Sequence, residues 1–183
     1  MLSIRPEWCE KILSGEKTAE IRKTRPKLEP PFKCYIYCTL AGSDSLFMDV
    51  LNRNVAAWNR GGWPEKKGRV IGEFICDDIR RIGPEYCVVK EDIESAIAGS
   101  CLTVPQVKDY AGWKPGLSYA DLKDLYGWRI SDLRIYDRPR KLQELTGLRS
   151  TRFGMEPMEI ARPPQSWGYV RELEEVRNEQ EGE

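Results

Sequence analysis

Lys17, Thr18, Glu20 and Arg22 fall within one short stretch, Gly15-Glu-Lys-Thr-Ala-Glu-Ile-Arg22. They bring together an ammonium, a hydroxyl, a carboxylate and a guanidinium, groups suited to a phosphate, a carbonyl or the edge of a base. Ala19 and Ile21 alternate with Thr18, Glu20, Arg22 and Thr24, the period of a strand with one apolar and one polar face. Glu20 and Arg22 then share a face, about 7 Å apart along the chain. They fit either an ordinary surface ion pair or a site where Arg22 meets a phosphate or carbonyl and Glu20 accepts from a base edge. Lys17, just past a glycine stop, fits a phosphate contact or a catalytic amine.

Other residues carry weaker versions of the same chemistry. Ser3 and Arg5 lead into a helix N-terminus, where backbone amides favour anions, although Arg5 fits a plain surface role equally well. Glu73 shares strand parity with Ile71 and Ile75, so a carboxylate on that face needs a partner. The partner is either a cation on a neighbouring strand or, if Glu73 is a cleft acid, Lys17. Tyr35, Tyr37, Trp113, Trp128 and Trp167 are core residues or stacking surfaces for bases.

Composition excludes much else. With no histidine in 183 residues, the Ser-His-Asp and Cys-His schemes, the HExxH zinc site and histidine acid–base catalysis are all removed. Cys34 and Cys38 lie four residues apart in a strand, about 13 Å, too far to share one zinc without a bend. No cofactor or metal is implied. Lys+Arg and Asp+Glu each number 29, so the chain as a whole is no bulk polyanion binder. The segment from Lys17 to Lys33 nevertheless sets six basic residues against two glutamates. Residues 171–183 set six glutamates against two arginines, an acidic tail expected to be disordered. The opening MLSIRPEWCEKIL is broken by charges, so neither a signal peptide nor a membrane span is expected, and a cytoplasmic location with reduced thiols follows as the default.

The elements that must position these groups can be traced along the chain. Leu2 and Ile4 mark a strand, and Pro6 and Glu7 open a helix carrying Trp8, Cys9, Ile12 and Leu13 that Gly15 stops. Strands are expected over 32–40 and 70–79, with Gly72 marking a bulge or a close backbone approach, and over 128–136 and 167–170. The apolar phase slips within 128–136, which a bulge near Ser131-Asp132 would repair. Helices are expected over 91–98 and 119–126. Residues 42–69 form an insertion in which Phe47, Leu51, Val55 and Trp58 trace an amphipathic helix. It could cover the sheet, act as a lid or offer a protein-docking face. The chain reads as α+β, one domain over 1–170 followed by the tail, and a small mixed barrel with flanking helices and a helical insertion is the most economical architecture.

The segments LSIRPEWCEKILSGEKTAEIRK, GRVIGEFICDDI, WRISDLRIY and PPQSWGYV together resemble the ASCH domain (activating-signal-cointegrator homology), a branch of the PUA-like β-barrel superfamily. The most specific element is Gly15 to Arg22, similar to the family's G-x-K-T-x-E-x-R signature. The resemblance implies a barrel with a cleft beside the first helix, where Ser3, Arg5, Lys17, Thr18, Glu20, Arg22, Trp128 and Trp167 would bind RNA or a modified nucleotide. One ASCH-like branch is an amidohydrolase on N4-acetylcytidine that uses a Lys, a Thr and a Glu. Lys17 matches the first of these, but Glu20 stands where that branch has its Thr. A hydrolase or ribonuclease built on Lys17 with Glu20 or Glu73 is therefore the alternative to pure binding.

Overall fold

A computed structural model describes residues 1–40, 68–87, 90–114, 116–118 and 121–173. The chain begins with β1 (Leu2–Ile4), which enters helix α1 (Pro6–Leu13) through Pro6, a residue whose fixed φ suits a first turn. Cys9 and Ile12 fall on the buried side of α1, and Gly15, at φ +77°, turns the chain out of it. The Lys17 N–H then donates to Lys11 O, closing the turn that delivers the chain to β2 (Ala19–Arg22).

The remaining strands are β3 (Phe32–Cys38), β4 (Arg69–Cys76), β5 (Ile79–Ile82), β6 (Leu125–Arg129), β7 (Ser131–Arg140), β8 (Thr146–Thr151), β9 (Gly154–Glu159) and β10 (Tyr169–Val170). Helices α2 (Lys90–Ala96) and α3 (Val104–Ala111) lie between β5 and β6. The strands form sheets of order β1-β3-β4-β7, β2-β6-β5 and β10-β8-β9, a mixed α+β arrangement in which no closed barrel is traced among the described residues. The first two sheets are joined at two corners, where β4 hands over to β5 at Asp77-Asp78 and β6 to β7 at Ile130. The slip of apolar phase in 128–136 is the second of these corners: the chain leaves one sheet and enters another, with Asp132 at φ +45°.

Two faces of the four-stranded sheet are buried, as its sequence periods require. Cys34, Ile36 and Cys38 point to one core with Leu2, Cys9 and Trp128, whereas Tyr35 and Tyr37 point to another with Leu142, Leu145 and Ile160. Gly72 does mark a close approach. The register shifts beside it, and an added Cβ would stand 2.5 Å from Arg134 O.

Two expectations for elements need correction. Leu125 and Tyr126, placed in a helix over 119–126, belong to β6 and pair with Ile82 and Arg81 on β5, with Tyr126 also opposite Arg22 on β2. Ladder pairing on both sides of β6 overrides the local helical pattern. The helix α3 was missed, although Thr103 and Gln106 form a capping box at its start and Gly112 ends it in the left-handed region. The helix expected within 42–69 and the tail beyond residue 173 lie outside the described residues, apart from Gly68 and Arg69.

Candidate functional site

Strand β2 pairs with β6 so that Ala19 and Ile21 lie on one face and Glu20 and Arg22 on the other, with Glu20 opposite Trp128 and Arg22 opposite Tyr126. Ile21 packs into the core with Ile82, Ile93 and Leu125. The polar face does not meet solvent. It turns toward the four-stranded sheet and the core containing Trp128, and Lys17, Glu20 and Arg22 are all buried, Lys17 with 3% of its surface exposed.

Among the described residues, the buried polar set comprises Ser3, Lys17, Glu20, Arg22 and Ser100, and all five form one connected chain. Lys17 Nζ donates to Ser100 O at 2.6 Å, lies 3.1 Å from Glu20 Oε2 and sits 5.1 Å from the centre of the Trp8 ring. The other Glu20 oxygen faces Arg22 Nη2 at 3.0 Å, and the same nitrogen donates to Ser3 O at 2.7 Å. Arg22 Nη1 reaches Ser166 Oγ at 3.4 Å. Two cations share one carboxylate, so the chain carries one surplus positive charge in a region of low dielectric. Two buried donors on this face lack an acceptor: Arg22 Nε and Trp128 Nε1.

Three segments hold the chain in place. The loop after α2 presents Gly99, at φ +74°, whose carbonyl accepts from both the Thr18 and Ala19 N–H groups, and this brings the Ser100 carbonyl over Lys17. Residues 164–167 run beside β1: Ser3 N donates to Ser166 O at 2.9 Å, and Ser3 Oγ donates to Pro164 O at 2.6 Å. Helix α3 supplies Tyr110, whose ring lies 4.9 Å from Lys23 Nζ. Burial pushes the Tyr110 hydroxyl pKa up; Glu20 adds to the rise, while Arg22 and the Lys23 backbone N–H oppose it. Tyr110, partly covered with 37% of its surface exposed, and the exposed Lys23 thus lie on the outer side of the buried charges.

The other candidate residues separate. Thr18 is exposed beside Gly99. Trp128 is buried, with Phe32 edge-on at 5.8 Å and the half-buried Trp167 at 6.0 Å. Trp167 Nε1 donates to Thr24 Oγ1 at 2.9 Å. Arg5 stays on the surface, 3.9 Å from Glu7, and is not brought to the buried charges. Glu73 is not brought to Lys17 either. It opposes Tyr35 on the far face of the four-stranded sheet, where it accepts from Tyr136 Oη at 2.5 Å and lies 3.8 Å from Lys33 Nζ. The hydrogen-bond partner this carboxylate finds is the Tyr136 hydroxyl, with Lys33 only in looser ionic contact because its ammonium is 2.6 Å from Glu172. Burial, with the Glu73 carboxylate alongside, pushes the Tyr136 pKa up.

Ser100, Tyr110 and Ser166 were absent from the sequence-derived set. Each comes from a distant loop or helix, and only the αL glycine before Ser100 leaves any local sign of a turn.

The structure is similar to the crystal structure of ASCH from Zymomonas mobilis, with a TM-score of 0.53 and 20% sequence identity over 95% of this chain and 86% of that one. A serine-to-alanine mutant of the Zymomonas mobilis protein gives a TM-score of 0.51 and 19% identity over 95% of this chain and 87% of that chain. No curated protein matches the chain. The ASCH domain family model matches residues 2–116, which include β1, α1 and the whole stretch from Gly15 to Arg22. With more than half its length matched, this chain belongs to the ASCH domain family.

Proposed function

We propose that the protein is an RNA- or nucleotide-binding ASCH-domain protein whose site is built on Lys17, Glu20 and Arg22. The observation that carries the reading is the buried surplus cation, together with the unpartnered Arg22 Nε. Burying polar groups without partners is costly, and an incoming phosphate or base carbonyl would supply the missing acceptor. Lys23 and Tyr110 stand where such a ligand would approach, a cation and an aromatic ring side by side. Trp128 and Trp167 support its inner wall. In this reading residues 1–170 act as one domain, and the two corner-sharing sheets are the open frame of a PUA-like barrel. A cytoplasmic setting belongs to the same proposal, in keeping with the free thiols of Cys9, Cys34, Cys38, Cys76 and Cys101.

Fluorescence anisotropy with labelled single-stranded RNA at two salt concentrations tests this. Arg22→Lys, which keeps the charge and loses the planar fork, should weaken binding, and Lys23→Ala should flatten the salt dependence by about one phosphate's share, 0.7 on the log–log slope. Native-like affinity and slope in both variants would refute the assignment.

A hydrolase acting on an acylated nucleoside such as N4-acetylcytidine, or a ribonuclease, is the second reading, and the close Lys17 and Glu20 pair favours it. Lys17 is already engaged by Ser100 O, Glu20 and the Trp8 ring, so in such an enzyme it would act as a fixed positive donor to a developing oxyanion. Turnover of N4-acetylcytidine by the native chain, lost in Glu20→Gln, would select this reading over pure binding.

A further inference from the structure

Strands β8 and β9 form a hairpin in a different sheet from β2, paired from Thr146 with Glu159 to Thr151 with Gly154. Its turn is firmly built. Thr151 Oγ1 accepts from the Phe153 N–H and donates toward Gly154 O, both at 3.1 Å, and Gly154 sits at φ +117°. A rigid turn of this kind presents Arg152 and Phe153 outward, with 79% of Phe153 exposed. The Arg152 guanidinium lies 4.6 Å from the centre of the Phe153 ring. Met155 and Met158 are also exposed, one on each face of β9, and Met158 lies on the face that lines the cleft. At the base of the hairpin a cleft of about 690 Å³ opens between Leu148, Met158, Pro163 and Tyr169, with Arg162 and Glu159 on its wall.

We infer that this hairpin and cleft form a second contact surface, which takes single-stranded nucleic acid. One base would stack on Phe153, and a nucleotide further along the same strand would enter the cleft, about 16 Å away at the base of the hairpin, which lies within the size range of small-molecule sites. The charge pattern selects this occupant over an apolar peptide. Arg149 is paired with Glu156, whereas Arg152 at the tip and Arg162 at the cleft have no carboxylate partner among the described residues, so two free cations bracket the apolar surface where phosphates would lie. Glu159 is placed to accept from a base amino group. A sequence-tolerant stacking platform flanked by cations is the ordinary design for unpaired strands, whose bases are free to splay.

The inference rests on the nucleic-acid reading of the family site but adds a separate surface, so the test must distinguish the two. Labelled single-stranded and duplex RNA octamers and the matching DNA are titrated into the native chain, Phe153→Ala, Arg152→Ala, Arg162→Ala and Arg22→Lys. The first three substitutions lie on the surface, and unchanged thermal melting checks that each variant is folded. The expected result is preferential binding of single strands, weakened about fivefold or more by Phe153→Ala and less by each arginine change. Affinity within twofold of native in Phe153→Ala, while Arg22→Lys loses binding, overturns the hairpin surface alone. Loss in Phe153→Ala with none in Arg22→Lys supports the hairpin and overturns the signature site. A preference for duplex, or no binding to any oligonucleotide, overturns the inference outright. So does native binding to anionic phospholipid vesicles that Phe153→Ala abolishes while RNA affinity stays unchanged.

Discussion

Glu20 holds Lys17 at 3.1 Å through one carboxylate oxygen while its other oxygen faces Arg22, and all three side chains are nearly closed to solvent. A carboxylate in that position neutralises one of two buried cations and orients both. Glu20→Gln should leave two uncompensated charges and lower stability by ~3 kcal/mol or more. Urea unfolding followed by tryptophan fluorescence reads this directly, and a loss below ~1 kcal/mol would mean that the chain of charges tolerates the change.

The spacing that put Glu20 and Arg22 on one face was legible because a period of two sorts side chains onto faces whatever those faces meet, and Lys17 was legible from its place just past the Gly15 stop. What they meet was not legible. A strand face bearing Glu20 and Arg22 reads as solvent-facing, yet β2 lies between two cores, and its charges are tolerated inside because Ser3 O, Ser100 O and each other supply the partners. Those partners lie 19 and 83 residues away from the groups they satisfy, beyond the reach of any local pattern. The phase slip in 128–136 was a real signal read too narrowly, since it marks a change of sheet as well as a kink.

Gly72 and Gly112 make a matched pair. An alanine at Gly112, φ +77° with nothing within 4 Å, meets only the conformational penalty of the left-handed region, ~1 kcal/mol. An alanine at Gly72 would strike the Arg134 carbonyl oxygen, which belongs to paired backbone and cannot swing aside, so Gly72→Ala should cost ~2 kcal/mol or more. Thermal melts of the two variants should therefore rank Gly72→Ala well below Gly112→Ala, and equal melting temperatures would contradict the register of β4 with β7.

The corner at Asp77 sets a pH dependence. Two hydrogen bonds from Arg129, each at 2.6 Å, hold the half-buried Asp77 carboxyl down at about 2, below its ordinary value of 3.8. A carboxyl whose folded pKa is depressed stabilises the fold fully above its unfolded value and loses that contribution as pH falls toward the folded one. The melting-temperature difference between the native chain and Asp77→Asn should thus be constant above about pH 5 and shrink on acidification toward pH 2. A difference that grows on acidification would contradict the pairing.

Thiol reactivity should follow burial. Cys9, Cys34, Cys38 and Cys76 are buried, and burial pushes the Cys76 thiol up to about 12, whereas Cys101 is partly exposed in the loop that carries Ser100. Brief alkylation near pH 8 followed by peptide mass spectrometry should label Cys101 well before those four, because the thiolate is the reacting form. Early labelling of Cys9 or Cys34 would show that the core containing Leu2, Ile36 and Trp128 is open to solvent.

The most direct measurement is an NMR titration with a single-stranded RNA octamer that follows the indole signals of the six tryptophans and the Nε–H signal of Arg22. Among the described residues, Arg22 Nε and Trp128 Nε1 are the buried donors without an acceptor on the polar face of β2 and its β6 neighbour, so a ligand that completes the site must alter their environment. The account predicts that both signals shift on titration while that of Trp113, whose indole already donates to Lys123 O, stays in place. Saturable RNA binding that leaves Arg22 and Trp128 unmoved would contradict it and place the nucleic acid elsewhere on the protein.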